Sequence, residues 1–159
     1  MSKSARTHRA RRAIKLLLEK LEDRTLPSTL HVTNLLDDGS VGSLRQTIQA
    51  ANSGDTIDFP GLTGTITLNG TELLLNKNVT ITGLGANLLT IDGGSMSRVF
   101  EVPPSAMVTL SGITVAHGND MTGGGGGLRN EGNVTIQACA FISNISVGGS
   151  PISGGGGGG

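Results

Sequence analysis

Past residue 54 the apolar residues come in short runs of two or three, alternating with Thr and broken by Gly, Asn and Pro, with no helical periodicity. The runs predict strands at 56–58, 65–68, 73–75, 79–82, 89–91, 99–102, 108–110, 113–115, 134–136 and 141–142. Three of them share a Val-Thr-aliphatic centre: Asn78-Val79-Thr80-Ile81, Met107-Val108-Thr109-Leu110 and Asn133-Val134-Thr135-Ile136. Val79 and Val108 are 29 positions apart, Val108 and Val134 are 26 apart. In a strand, each Val and the aliphatic residue two later share one face and the Thr takes the other. The last two copies stay aligned beyond the strand, Ile113 with Cys139 and Val115 with Phe141, with Gly112 and Ala138 at a tight corner. A period of this length holding three short strands is one coil of a parallel β-solenoid, with coils stacked at ~4.8 Å. Val108, Leu110, Ile113, Val115, Val134, Ile136, Cys139 and Phe141 are therefore expected to face inward in ladders.

Upstream the pattern differs. Residues 30–36 predict a short strand, and Asp37-Asp38-Gly39-Ser40 has the chemistry of a turn. Ser43-Leu44-Arg45-Gln46 fits a capping box, and Leu44, Ile48 and Ala51 fall on one helical stripe before Asn52-Ser53-Gly54 stops it. Such a helix, just before the repeats, reads as a lid over the open end of a solenoid. Residues 11–23 form a second amphipathic pattern, through Ile14, Leu17, Leu18 and Leu21, which Pro27 ends. Its apolar run, interrupted by Lys15, is far shorter than the ~20 residues that span a bilayer. The expected organisation is a basic amphipathic targeting segment (1–28), a strand plus cap helix (29–54) and β-helix coils (55–159).

Composition supports this division. Gly occurs 26 times, aromatics are 2%, and Trp and Tyr are absent, so stability must come from many small aliphatic contacts in stacked repeats. The net charge of zero conceals an asymmetry: residues 1–24 hold eight of the twelve Lys and Arg but only three of the twelve acidic residues. The body is left mildly acidic and poor in aromatics, which argues against a nucleic-acid partner. One cysteine, Cys139, excludes an internal disulfide and reads as a small apolar ladder residue.

Carbohydrate chemistry on a β-helix needs paired carboxylates, or a carboxylate cluster binding Ca²⁺ with a Lys or Arg base. Asp58, Glu72, Lys77, Asp92, Arg98, Glu101, Asp120, Arg129 and Glu131 fall at scattered offsets from their own Val-Thr anchors, so no shared face is expected, with Lys77 and Arg98 at exposed corners. Asp37-Asp38-Gly39 lacks the alternate ligands of a calcium loop, and Gly83-x-Gly85 has no helix after it to make a phosphate cradle. His8, His31 and His117 are isolated in sequence. The Asn-x-Thr/Ser triplets at Asn69, Asn78, Asn133 and Asn144 read as corner asparagines. No catalytic, cofactor-binding or metal-ligating residue is assigned.

Three stretches resemble known families. Leu18-Glu19-Lys20-Leu21-Glu22-Asp23-Arg24 looks like the Leu-Glu-x-Leu-Glu-x-Arg segment near the N-terminus of planctomycete surface proteins, which implies export; the same residues also read as an ordinary solvated helix. Val32-Thr33-Asn34, Asp38-Gly39 and Gly42-Ser43-Leu44-Arg45-Gln46-Thr47-Ile48-Gln49-Ala50-Ala51-Asn52 resemble the bacterial domain named for its Cys-Ser-Leu-Arg-Glu-Ala (CSLREA) motif, with Gly42, Gln46 and Thr47 replacing three of that motif's residues. Gly123–Gly127 with Leu128, and Phe141-Ile142-Ser143-Asn144, look like the repeats of polymorphic outer-membrane proteins. These likenesses imply an all-β, right-handed parallel β-helix with a short cap helix, acting as a secreted or cell-surface structural or adhesion module with no catalysis of its own. Surface polysaccharide or other envelope proteins are the partners so implied. The alternative is part of a polysaccharide lyase or hydrolase-like β-helix whose active coils lie outside this chain. Gly154–Gly159 takes the place of Gly123–Gly127 with no strand after it, so the expectation is three to four coils of a longer β-helix, its open edge free to self-associate.

Overall fold

The computed structural model describes residues 26–147; the expected targeting segment (1–28), apart from its last three residues, and the terminal Gly run lie outside them. The chain winds into a β-solenoid of about five turns in which every strand pairing is parallel.

Its first sheet stacks β1 (Thr29–His31), β2 (Thr56–Asp58), β5 (Val79–Thr82), β8 (Met107–Ser111) and β12 (Asn133–Gln137) in that order. Successive rungs are offset by 27, 24, 29 and 26 residues, and the last two intervals are those of the Val-Thr repeat. A second sheet stacks β3 (Gly64–Thr67), β6 (Leu89–Asp92), β9 (Thr114–Ala116) and β13 (Ala140–Ile142). A third stacks β4 (Leu73–Leu74), β7 (Phe100–Val102) and β11 (Leu128–Asn130), and a short fourth pairs β10 (Asn119–Asp120) with β14 (Ile145–Ser146).

Like residues stack on like. In the first sheet Ile57, Ile81 and Leu110 form an inward column beside Val79 and Val108, and in the second Ile66, Ile91 and Val115 do the same, all buried. Of the eight residues expected inward, Val108, Leu110, Ile113 and Val115 are buried. Their counterparts one coil on keep the register, but Val134, Cys139 and Phe141 are only half-buried, and Ile136 is 46% exposed. An inward side chain is sealed by rungs on both sides, and among the described residues these four have a rung on one side alone.

The turn count exceeds the expected three to four because the solenoid begins before the helix. β1 is already a rung of the first sheet, and α1 (Leu44–Ala50) occupies the rest of that coil. Leu44, Ile48 and Ala51 belong to the same buried cluster as the strand ladders. The cap follows the capping box in half: Gln46 N–H donates to Ser43 Oγ (3.3 Å), but the Gln46 side chain accepts from Gly42 N–H (3.4 Å) instead of from the cap residue.

Corners set the coil's shape. Gly112 has φ +61°, and Gly83 stacks so closely against it that a Cβ on Gly83 would meet the Gly112 carbonyl oxygen at 2.3 Å. Ala138, expected at the next corner, holds φ +49° with an exposed side chain. An L-residue in that region costs roughly 1–2 kcal/mol, partly offset in glycine by its freer unfolded chain. Ala138→Gly should therefore raise stability by about 0.5–1 kcal/mol. Urea unfolding checks this, and a lowered midpoint would mean that the methyl group packs.

Candidate functional site

Two surfaces stand out, one regular and threonine-lined, the other charged and concave. The regular one is the outer face of the first sheet, where Thr29, Thr56, Thr80, Thr109 and Thr135 are in direct register, each at least partly exposed. A second outward column runs beside it, through His31, Asp58, Thr82, Ser111 and Gln137. Threonine suits such a column because its branched Cβ favours the strand and its hydroxyl keeps the face hydrated.

The concave one lies beside the third sheet, a cleft of about 430 Å³ running across three successive coils. Glu72 comes from one coil, Ser97, Arg98 and Glu101 from the next, and Asn119, Asp120 and Arg129 from the third. The expectation of no shared charged face is thereby overturned. Offsets counted from the Val-Thr anchor miss the gathering because the corners between anchor and third sheet differ in length. The cleft also takes residues from strands, from the corner before β7 and from β10, which carries no Val-Thr signal.

Arg98, expected at an exposed corner, is 6% exposed. Its Nη1 donates to Glu101 Oε2 (2.9 Å), its Nη2 lies 2.9 Å from Asp120 Oδ2, and its Nε donates to the Gly125 carbonyl (3.0 Å). Asp120 Oδ2 receives no well-directed hydrogen bond; its partner is the Arg98 charge. Its Oδ1 accepts from the Thr122 backbone N–H and hydroxyl. Burial pushes the Asp120 carboxyl up, but the two Thr122 bonds and Arg98 outweigh it and hold the group below the usual carboxylate range. Two polar atoms in this wall, Ser97 Oγ and Asn119 Oδ1, are buried with no hydrogen-bond partner.

The remaining candidates stitch coils together. Asp37 is buried and not simply a turn residue: its carboxylate takes Arg45 Nε and Nη2 (2.8 Å each) and the Asn69 backbone N–H (2.9 Å). Asp38 makes the turn, accepting from Ser40 N–H. Arg45 also donates to the carbonyls of Thr71 and Glu72, so the Arg of the Ser-Leu-Arg segment ties α1 to the next coil. Lys77, expected at an exposed corner, is half-buried and donates to the Gln49 and Ala51 carbonyls at the end of α1. Of the three histidines isolated in sequence, His8 lies outside the described residues, and the other two have partners in space: His31 meets Asp58 and His117 meets Asp92, each across adjacent coils.

Three of the four Asn-x-Thr/Ser asparagines use their side chains at corners. Asn69 donates to Asp37 O, Asn78 accepts from Met107 N–H, and Asn144 bridges Gly118 N–H and Val115 O. In the segment Phe141-Ile142-Ser143-Asn144, Phe141 enters the ladder and Asn144 sews the corner to the coil before.

Among the described residues no His, Cys, Asp and Glu cluster could hold a metal ion, and no helix is long and apolar enough to cross a membrane. No family model, curated protein or solved structure matches the chain.

Proposed function

We propose that this chain is a secreted or cell-surface structural module of adhesion type, a right-handed parallel β-helix whose outer threonine face is its working surface. The observation that carries the reading is the five-rung column from Thr29 to Thr135, an uncharged array repeating at the ~4.8 Å coil spacing. A globular enzyme has no need of such regularity, whereas a scaffold presents it to whatever lies alongside. The right hand follows from the general preference of parallel crossovers. In this reading α1 is the lid of the first coil, fastened by Arg45 and Lys77, and the Leu-Glu-x-Leu-Glu-x-Arg likeness at 18–24 supplies an export signal.

Proteinase K applied to intact cells that make the protein tests its location. Expected is loss of the chain from shaved cells, and retention inside the cell when residues 1–28 are deleted. Full protection during shaving, with recovery in the cytosolic fraction, would reject the surface assignment.

A further inference from the structure

We infer that Asn69 is a self-modifying site, where the Gly70 backbone nitrogen displaces the side-chain amide and leaves aspartate and isoaspartate. This chemistry needs neither the threonine face nor export. Asn69-Gly70 is the chain's only Asn-Gly pair. It lies in the corner between β3 and β4, with Asn69, Gly70 and Thr71 all exposed. Gly70 takes φ +79° and brings no side chain to shield its nitrogen. A Cβ added there would meet only Met96 Cβ, at 4.0 Å, so the corner is open. The Gly70 N–H donates to no acceptor among the described residues. Asn78 and Asn133 are followed by Val and Asn144 by Ile, whose branched side chains crowd the attacking nitrogen. What restrains Asn69 is one bond, from Nδ2 to the Asp37 carbonyl (2.8 Å). A single such bond biases the population by about tenfold at most, which slows the attack without preventing it.

Water is the only co-reactant. The bond from Gly70 N to Asn69 Cγ forms, the Cγ–Nδ2 bond breaks, and Nδ2 leaves as ammonia; in the balance it carries off the proton that Gly70 N gave up. Water then opens the cyclic imide at either carbonyl, giving aspartate or isoaspartate. The leaving group is the one that holds the stitch, so modification unfastens the corner. Asn69 N–H donates to Asp37 Oδ2 (2.9 Å), the oxygen that also takes Arg45 Nη2 (2.8 Å), and Arg45 reaches on to the carbonyls of Thr71 and Glu72. After conversion the Asp37 carbonyl has lost its Asn69 donor and faces a carboxylate. That carboxylate also competes with Asp37 for Arg45, and isoaspartate lengthens the main chain just before Thr71. The contacts that tie α1 to the second coil are thereby weakened together.

The test incubates the full chain in mildly alkaline buffer, folded and in guanidinium chloride, and follows peptide masses with fragmentation to place each converted residue. In the folded chain Asn69 should convert no more than about tenfold slower than in denaturant, with isoaspartate in excess. Asn78, Asn133 and Asn144 should stay intact over the same time. The aged chain should unfold at a lower urea midpoint than fresh chain, and Asn69→Asp should reproduce the direction of that shift. Asn69→Gln, which keeps an amide but closes the imide ring poorly, should hold its midpoint through the incubation. The wild-type comparison needs no variant and decides the matter where either substitution prevents folding. Conversion slowed by much more than tenfold in the folded chain, conversion first at another asparagine, or an aged chain with an unchanged midpoint would overturn the inference.

Discussion

Arg98→Met should destabilise the solenoid by about 3–5 kcal/mol, because it leaves the buried Asp120 carboxylate with no opposing charge. The arginine also holds the Gly-rich stretch through the Gly125 carbonyl, so its loss loosens the corner that leads into β11. The pH dependence separates charge from packing. Asp120 is held below its ordinary value in the folded chain, as is Asp55, whose carboxylate accepts from the backbone N–H groups of Asn52 and Ser28 and from the Ser28 hydroxyl. A carboxyl depressed by folding contributes stability that is complete above its unfolded pKa of about 4 and is lost as pH falls through the folded value. The wild-type chain should accordingly hold its stability near neutral pH and lose it below about pH 4. Without Arg98 the Asp120 carboxyl moves upward, and loss should begin at higher pH. Urea unfolding of both proteins between pH 3 and pH 7 reads this out. Parallel curves, separated by a constant amount at every pH, would mean that Arg98 acts through its methylenes and not its charge. Asp120→Asn in the Arg98→Met background should return part of the lost stability, since it removes the stranded charge.

The solenoid was legible in the sequence because its strongest signal is local. A Val-Thr-aliphatic triplet fixes which side faces in, and recurrence of the triplet fixes the coil length, so Val79, Val108 and Val134 could be aligned without knowing any intervening contact. Strands without that triplet were legible where a short apolar run stood between turn residues, as at β3 and β6, but three were missed. Leu128-Arg129-Asn130 follows five glycines and shows no alternation, and it is a strand because β7 lies beside it with free backbone groups. Asn119-Asp120 and Ile145-Ser146 are two-residue rungs that pair with each other, too short for any periodicity to register. The cleft was missed for the same reason. Its side chains come from segments whose position depends on corner length, and Gly123–Gly127 made the third coil's corner unreadable from composition. Asp37 shows the converse failure. Two adjacent aspartates beside a glycine have turn chemistry, and only Asp38 uses it; the other is claimed by an arginine eight residues on, a contact no turn rule contains.

Phe100→Ala should cost about 3–5 kcal/mol, while Phe141→Ala should cost only about 1–2. Both rings enter inward ladders, but their surroundings differ. Phe100 is 0% exposed, with Leu73 on the rung below and Leu128 on the rung above. Deleting its ring opens a cavity that neighbours fixed in parallel register cannot collapse to fill, so the cavity cost adds to the lost transfer energy. Phe141 stacks on Val115 and is only half-buried, so an alanine there leaves a notch that water can enter instead of a sealed void. The pair thus measures how the stability of a stacked chain is distributed along its axis. In a quasi-one-dimensional repeat each coil is stabilised by its neighbours, and a terminal rung contributes one interface where a central rung contributes two. Chemical denaturation of both variants gives the ratio. Equal costs would require a further surface packed over Phe141.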